Sequence, residues 1–410
     1  MRILFIVPYI PSQIYVRPYN LIRYLAKRKH QITLLTLGSP EQDRAALDEL
    51  RQVCEKVHVF SLPRWRSLMN SALALPTKAP LQSRYCWQPE LAGFITKSLE
   101  HPDERPYDII HVEHLRGVQY ALLAKKLQKQ GRLIHSAPII WDSVDNISHL
   151  FRQAAAKSQK FSSRLLSILD LSRTERYEGW LVDQFDRTLV TSAQDRQAFE
   201  RLSHRPVPHP IEVLPNGVDL DFFTPGDPGE KSPAAIVISG KMSYHANISM
   251  VLNFARNILP LVWKERPDAE LWIVGKDPVR EILELGSHPQ ITVTGTVSDI
   301  RPFLRKATVA VTPITYGTGI QNKVLEAMAC GVPVVSTSKA IAALNVTPGK
   351  EILVDDTLQG FANHVLSLIA DPDLQIQISD AGKTYVIENH HWAQIAAQLD
   401  TIYADCMRAR

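Results

Sequence analysis

Short apolar runs alternate with longer segments of helical periodicity along the whole chain. RILFIV (2–7) reads as a strand, RPYNLIRYLAKRK (17–29) as an amphipathic helix and QITLLTL (31–37) as the next strand. VHVFSL (57–62), DIIHV (108–112), LIHSAPIIWD (133–142) and RTLVTSA (187–193) continue the series. Strand and helix in alternation predict a parallel sheet with helices on both faces. The scheme then repeats with AAIVISG (234–240), AELWIVG (269–275), ITVTG (291–295), VAVTPI (309–314), VPVVST (332–337) and EILV (351–354). Most of these strands end in Gly, Pro, Ser or Thr, and open parallel sheets bind ligands beyond the carboxyl ends of their strands.

The chain therefore reads as an α/β protein of two doubly wound, Rossmann-like domains facing each other across a cleft, the default place for an active site. The expected boundaries are 1–212 for the first domain, 213–388 for the second and 389–410 for a C-terminal helix. The join is VLPNGVDLDFFTPGDPGEKSP (213–233), which starts as a strand, turns at Asn216-Gly217 and passes through several prolines. The last segment, HHWAQIAAQLDTIYADCMR, carries Trp392, Ile395, Ala396, Leu399 and Ile402 on one stripe, which we expect to pack toward the first domain.

Size supports this division, since 410 residues exceed what one hydrophobic core usually serves. Cys54, Cys86, Cys330 and Cys406 form no C-x-x-C pair, which argues against structural zinc and a disulfide framework and for a reducing, cytoplasmic setting. The amino-terminal apolar run is too short for a signal peptide core and reads as the first strand. No stretch approaches the roughly 20 apolar residues of a membrane span. The net charge of +4 is unevenly shared: residues 1–215 hold 30 Lys plus Arg against 21 Asp plus Glu, and the remainder 16 against 21. This asymmetry points the first half toward an anionic partner, an anionic membrane surface or a phosphorylated acceptor, or else marks a solvated basic face. The stretch RWRSLMNSALALPTKAPLQSRYCW (64–87) mixes Arg, Lys, Trp and Leu in this half, as a segment docking peripherally on the inner face of the cell membrane would, or a helix covering the first domain.

Candidate chemistry concentrates in GTGIQNKVLEAMACGVPVVST (317–337). Gly317, Thr318 and Gly319 lie between a strand and an amphipathic helix expected from about Ile320. Their backbone N–H groups and the helix dipole favour phosphate oxygens. Ile320, Val324, Ala327 and Met328 share the helix face toward the sheet, leaving Lys323 and Glu326, three apart, on a neighbouring sector. A carboxylate near an anion site suits the paired hydroxyls of a ribose. The combined reading is a nucleoside diphosphate group, phosphates on the glycine turn and ribose at Glu326; the plainer alternative is a surface i, i+3 pair.

Together with its neighbours, this segment carries a family resemblance. Glu326-Ala327-Met328-Ala329-Cys330-Gly331-Val332-Pro333-Val334-Val335 resembles the signature of retaining glycosyltransferases of family four, which have the GT-B fold. Pro215-Asn216-Gly217-Val218-Asp219 with Phe223 and Pro225, then Ser239-Gly240-Lys241, Ile273-Val274-Gly275 and Val293-Thr294-Gly295 with Val297, follow in the family's order over nearly the whole chain. Gly319-Ile320-Gln321-Asn322-Lys323-Val324-Leu325-Glu326 and Asn247 look closest to the exopolysaccharide-associated sugar transferases. The resemblance implies a glycosyltransferase moving a sugar with retention from a nucleotide diphosphate donor to a hydroxyl of a glycan or polyprenyl-linked acceptor. It implies donor contacts from Gly240, Lys241, Asn247, Gly275, Gly317, Thr318, Gly319, Ile320, Gln321, Lys323 and Glu326, with Lys241, Lys323 and Glu326 nearest the chemistry. Lys241 would hold the diphosphate and Glu326 the ribose. Departure of the leaving group is expected on the acceptor's face of the sugar, with no protein nucleophile, no cofactor and no metal, since no D-x-D motif stands in a metal-site context.

Some positions depart from the family pattern. Thr318 stands where a first glutamate is common, eight before Glu326. His111-Val112-Glu113-His114 replaces His-x-His, so Glu113 fills the second histidine slot. His111, Glu113 and His114, with Asp142 and Asp145 of IIWDSVDN, are candidate acceptor contacts; the two aspartates equally suit capping of the next helix. A nucleotide-sugar epimerase of GT-B architecture, or a weakly active GT-B partner protein in a polysaccharide assembly system, would use the same residues. A nicotinamide dehydrogenase is disfavoured because no G-x-G-x-x-G follows the first strand of either half, and nothing indicates nucleic acid.

Overall fold

The computed structural model describes the chain apart from residues 14, 40, 42, 103–104, 158–160, 204–208, 317–319 and 410, and apart from the side chains of 153–169 and 228. It forms two compact units, one of Met1–Pro215 with Trp392–Arg410, the other of Asn216–His391.

In the first unit the apolar runs form strands β1 (Arg2–Val7), β2 (Gln31–Leu37), β3 (Lys56–Phe60), β4 (Ile109–Glu113), β5 (Ile139–Val144), β6 (Arg187–Val190) and β7 (Ile211–Val213). They make one sheet in the order β3-β2-β1-β4-β5-β6-β7, every pair parallel. Parallel strands need helical crossovers, which cover both faces, and β1 and β4 are accordingly buried throughout. On one face Leu4, Ile6, Trp141, Phe185 and Phe199 pack together. On the other, the helix Trp392–Arg408 sets Trp392, Ile395, Leu399 and Tyr403 against Ile3, Phe5, Ile140 and Leu214. Tyr403 also hydrogen-bonds Nδ1 of His111 at 2.8 Å.

The second unit contains β8 (Ala235–Ser239), β9 (Glu270–Val274), β10 (Ile291–Gly295), β11 (Val309–Thr312), β12 (Val334–Ser336) and β13 (Leu353–Val354). Their order is β10-β9-β8-β11-β12-β13, again parallel throughout. The chain's entry to and exit from this unit are tied together. Val218 N–H donates to the His390 carbonyl at 2.7 Å, and His390 Nδ1 donates to the Asn216 carbonyl, also at 2.7 Å. A carbonyl can only accept, so Nε2 is left as acceptor for the Tyr385 hydroxyl at 3.0 Å.

Several elements differ in extent from the sequence reading. The strand expected over 133–142 begins at Ile139, after Pro138, which has no N–H to give the ladder. After β8 the helix His245–Asn253 passes into a π turn, Phe254–Ile258, because Pro260 cannot donate to the carbonyl one turn back. The helix expected from about Ile320 is Asn322–Ala329.

Trp392 is among the largest fully buried side chains, so Trp392→Ala should lower unfolding stability by about 3–5 kcal/mol in urea denaturation. A change below about 1 kcal/mol would mean that the last helix contributes little to the first unit.

Candidate functional site

In a doubly wound sheet the crevice opens where strand order reverses, here between β8 and β11 in the second unit. The residues leaving these strands form the candidate donor site. β8 and β9 end in the same way, as Gly240-Lys241 and Gly275-Lys276. Gly240 (φ 146°) and Gly275 (φ 149°) adopt backbone angles that side chains disfavour. The two turns are joined by hydrogen bonds from Gly240 N to the Val274 carbonyl, 3.0 Å, and from Met242 N to the Lys276 carbonyl, 2.8 Å. A Cβ on Gly275 would lie 1.8 Å from the Gly240 carbonyl oxygen, so no larger residue fits there.

Asn247, on the helix that follows, is buried. Its Nδ2 donates to the Lys241 carbonyl at 2.9 Å, which fixes the turn, and its Oδ1 accepts from Lys323 Nζ at 2.6 Å. Lys323 Cε lies 3.4 Å from where a Gly240 Cβ would be. Three sequence-predicted donor residues, Gly240, Asn247 and Lys323, are thus packed together, with Lys241 exposed beside them.

Lys323 comes from the helix Asn322–Ala329, whose Val324, Leu325, Ala327 and Met328 are buried in the core while Lys323 and Glu326 are half-buried on the adjoining sector. Burial pushes the Lys323 ammonium down to about 8, opposed by the Glu326 charge. Burial likewise pushes the Glu326 carboxyl up to about 7, with Lys323 pulling the other way. Desolvation exceeds the mutual attraction in both, so each charge is held at a cost that an added ligand charge or hydrogen bond can offset. Ile320 is buried in the same core and Gln321 precedes the helix, without a side-chain cap on its N-terminus. Gly317, Thr318 and Gly319 lie outside the described residues. Tyr316, just before them, stacks on His245 with ring centroids 5.4 Å apart and hydrogen-bonds its Nδ1 at 2.9 Å.

The first unit reverses its strand order between β1 and β4. The five candidate acceptor residues divide there by exposure. His111, Glu113 and Asp142 are buried, His114 and Asp145 half-buried. Asp142 accepts from Arg17 Nε at 2.8 Å and from Val144 N at 3.1 Å, and lies 3.7 Å from His111 Nε2. Arg17 continues to the Leu214 carbonyl at 2.9 Å. Asp142 is therefore part of a buried ion pair with hydrogen bonds on its free lone pairs, the form in which such pairs persist. His111, stacked on Phe5 at 4.2 Å and bonded to Tyr403, is pushed down to about 4 by burial. Glu113 faces Asp142 across the β4–β5 ladder. Its carboxyl is buried beside the Tyr9 phenol, and burial followed by the Asp142 charge raises its pKa.

Asp145 does not cap the following helix. Asn146 does, its Oδ1 accepting from His149 N at 2.8 Å, with Glu178 taking the N–H groups of Ile147 and Ser148. Asp145 faces Thr191 at 3.4 Å and is raised to about 7, by burial and then by Asp195. Val144 between the two aspartates has φ 68°, a strained angle for a β-branched residue, where the β5–β6 register shifts.

Sequence reasoning missed Lys276, Arg17, Tyr9 and the His245–Tyr316 pair. Lys276 could have been found by noticing that two successive strands end in Gly-Lys. Arg17 carried no such signal, because a single arginine at the start of an amphipathic helix looks like a surface residue.

Comparison with known proteins agrees with the two-sheet fold. The family described as "Glycosyltransferase Family 4" matches residues 16–222, and "Glycosyl transferases group 1" matches 233–371. A GDP-mannose-dependent monoacylated alpha-(1-6)-phosphatidylinositol monomannoside mannosyltransferase of Corynebacterium glutamicum is 26% identical over 47% of this chain and 56% of its own length. The chain thus spans little more than half the length of that relative. An uncharacterized 44.6 kDa protein in the cps region of Klebsiella pneumoniae is 18% identical over 90% of both chains. Among solved structures, Anabaena Alr3699/HepE in complex with UDP and glucose superposes with a TM-score of 0.66 at 15% identity, covering 99% of this chain and 100% of that one. A glycosyltransferase from Rickettsia africae superposes with a TM-score of 0.68 at 15% identity, covering 100% and 99%. No helix among the described residues is long and apolar enough to cross a membrane. Two Rossmann-like sheets of the GT-B kind, and a family match over half of the sequence, make this chain a glycosyltransferase of family 4.

Proposed function

We propose that the second unit binds a nucleotide diphosphate sugar and that the enzyme transfers the sugar, with retention, to a hydroxyl of a glycan or polyprenyl-linked acceptor in exopolysaccharide biosynthesis, at the inner face of the cell membrane. The carrying observation is the convergence of Gly240, Asn247 and Lys323 at the switch point of the sheet, with Glu326 one helical turn further on. A leaving nucleoside diphosphate develops negative charge, and fixed cations and N–H donors in a partly dry site stabilise it more than water does. On this reading Lys323 and Lys241 meet the diphosphate, Lys276 adds a third cation from the adjoining turn, and Glu326 takes the ribose hydroxyls. Ile320 and Gln321 bring backbone to the phosphates, and Gly275 keeps the turn thin. The acceptor oxygen bonds the anomeric carbon on the face from which the nucleoside diphosphate departs, so the step needs no protein nucleophile. The leaving phosphate takes the acceptor proton, so the step needs no protein base. In the first unit, His114 and Asp145 meet the acceptor, while His111, Glu113 and Asp142 hold the wall behind them. The naming of relatives as mannosyl- and inositol phosphate glycosyltransferases supports a polar hydroxyl acceptor, HepE's complexes with UDP support the donor class, and the relative from a cps region supports the polysaccharide setting.

Thermal shift with UDP, GDP and ADP should show stabilisation by at least one nucleotide, since binding to the native state raises Tm by mass action. The shift should shrink in Lys241→Ala and Glu326→Ala, corresponding to at least a tenfold loss of affinity, about 1.4 kcal/mol. Unchanged shifts in both variants would remove these assignments. Product analysis with the matching nucleotide sugar and a lipid extract should show a new glycosidic bond of the donor's anomeric configuration; donor interconversion alone would point to an epimerase.

Nucleotide affinity should depend on pH in a definite direction. Lys323 loses its proton through about pH 8 in the free protein, so diphosphate binding, measured by calorimetry, should weaken as pH rises above that value. In Lys323→Met this step should disappear.

The same two groups affect stability without ligand. The Glu326 pKa is raised from 4.5 to about 7, so its contribution is full below pH 4.5 and lost as pH rises through about 7. The Lys323 pKa is lowered from 10.5 to about 8, so its contribution is full above pH 10.5 and lost as pH falls through about 8. Near pH 7.5 both are charged at a cost. Lys323→Met with Glu326→Gln should therefore raise the Tm of the ligand-free protein by roughly 2 °C or more while losing nucleotide binding. A fall in Tm would show that the pair stabilises the fold.

A further inference from the structure

The helix Arg64–Ala74 in the first unit is amphipathic in the reverse of the usual sense. Ser67 and Asn70 are buried together with Ala74, while Trp65 is 59% exposed, Leu68 68% and Leu73 65%, with Met69 also exposed. At 100° per residue the outward side chains Leu68, Trp65, Met69 and Leu73 fall within a sector of about 140°. Ser67, Asn70 and Ala74 point the other way. The buried face is held by polar bonds: Asn70 Nδ2 donates to the Trp87 carbonyl at 2.8 Å and to the Tyr85 carbonyl at 3.3 Å. Beyond the helix, Arg173 donates to the carbonyls of Leu75 and Thr77. The apolar face is thus presented outward by a fixed support, and Leu75 extends it. Single exposed apolar residues are ordinary, but a contiguous group of this size is a mark of an interaction site.

The charge around the patch selects the partner. Arg64 and Arg66 fall at about 100° on either side of its centre, so they flank it. The Arg66 guanidinium lies 5.1 Å from the Trp65 ring centroid, an aliphatic stem along the apolar surface with its charge at the rim. Lys78 and Arg84 follow, and residues 61–88 contain no Asp or Glu. An apolar face of Trp, Leu and Met flanked by cations that form no ion pair among the described residues fits the boundary between anionic headgroups and acyl chains. It fits less well a second copy of the same surface, where four cations would face four cations.

We propose that this face, centred on Trp65, Leu68, Met69 and Leu73 with Arg64 and Arg66 at its edges, seats the enzyme on an anionic lipid bilayer. The helix lies in the interface plane, its apolar side chains entering below the headgroups and the arginines meeting lipid phosphates. The inference rests on the proposed function only in that it brings a lipid-linked acceptor within reach. Vesicle binding reads this surface and the nucleotide-induced Tm shift reads the donor site, so each can fail without the other.

The test is flotation of the full chain with vesicles of phosphatidylcholine containing phosphatidylglycerol, against phosphatidylcholine alone. The wild type should float with the anionic vesicles and bind pure phosphatidylcholine at least tenfold more weakly. Leu68→Gln with Leu73→Gln should lose at least tenfold in binding, and Arg64→Gln with Arg66→Gln should lose the preference for anionic lipid, both keeping the nucleotide-induced Tm shift. Quenching of the wild type by brominated lipid, minus that of Trp65→Phe, should be positive, which tests insertion even where a multiple variant does not fold. No flotation of the wild type, equal flotation of the leucine variant, or no Trp65-dependent quenching would overturn the proposal. So would a wild-type dimer, seen by light scattering, that the leucine variant dissociates without any change in vesicle binding.

Discussion

The backbone contact between Gly275 and Gly240 constrains the candidate donor site more than any side chain does. With 1.8 Å between a would-be Gly275 Cβ and the Gly240 carbonyl oxygen, the turns after β8 and β9 can lie together only because Gly275 has no side chain at that point. Their union orients Lys241, allows Asn247 to close over the first turn, and leaves Asn247 Oδ1 facing Lys323. The cation that arrives from the β11 side thus finds a preformed acceptor from the β8 side, across the place where strand order reverses. Positioning of this kind keeps the reorganisation needed upon ligand binding small.

Holding an ammonium and a carboxylate half-buried on one sector of a short helix is unfavourable by itself. The buried stripe of Val324, Leu325, Ala327 and Met328 compels it, since the helix cannot turn its charged sector to bulk water without exposing these four. Core packing thereby holds, in the ligand-free protein, an electrostatic cost that an added charge or hydrogen bond can offset. The first unit shows the contrasting case. There Arg17 and Asp142 satisfy each other inside the protein, and their arrangement braces the sheet edge beneath His114 and Asp145.

Fold and donor-site candidates were largely legible in the sequence, for a physical reason. A parallel sheet buried on both faces demands uninterrupted apolar strands, and a ligand site at its carboxyl end demands Gly directly after them; both appear as local patterns, as in Ile236–Gly240 and Leu271–Gly275. Legibility failed where a residue's surroundings come from distant segments. Arg17 meets carbonyls nearly two hundred residues away, and Asp142, read as the acid that closes a strand, is buried against that arginine. The helix Arg64–Ala74 was read as basic and apolar, but which side faces outward depends on Asn70 reaching the carbonyls of Tyr85 and Trp87. The start of the helix at Asn322, two residues later than its periodicity suggested, depends on a buried Ile320 that packs like a helical residue without belonging to the helix.

The discontinuity of the first unit bears on how the chain comes into being. Its apolar layer of Ile3, Phe5, Ile140 and Leu214 is covered by the helix Trp392–Arg408, which is synthesised only after the whole of the second unit. The second unit, whose ends are clasped through Asn216, Val218 and His390, can fold as a closed loop while that layer is still uncovered. Translation thus leaves the older half of the polypeptide waiting, with greasy surface bare, until the second unit has been made and the covering helix follows it, and the interval is one in which chaperones have most to shield.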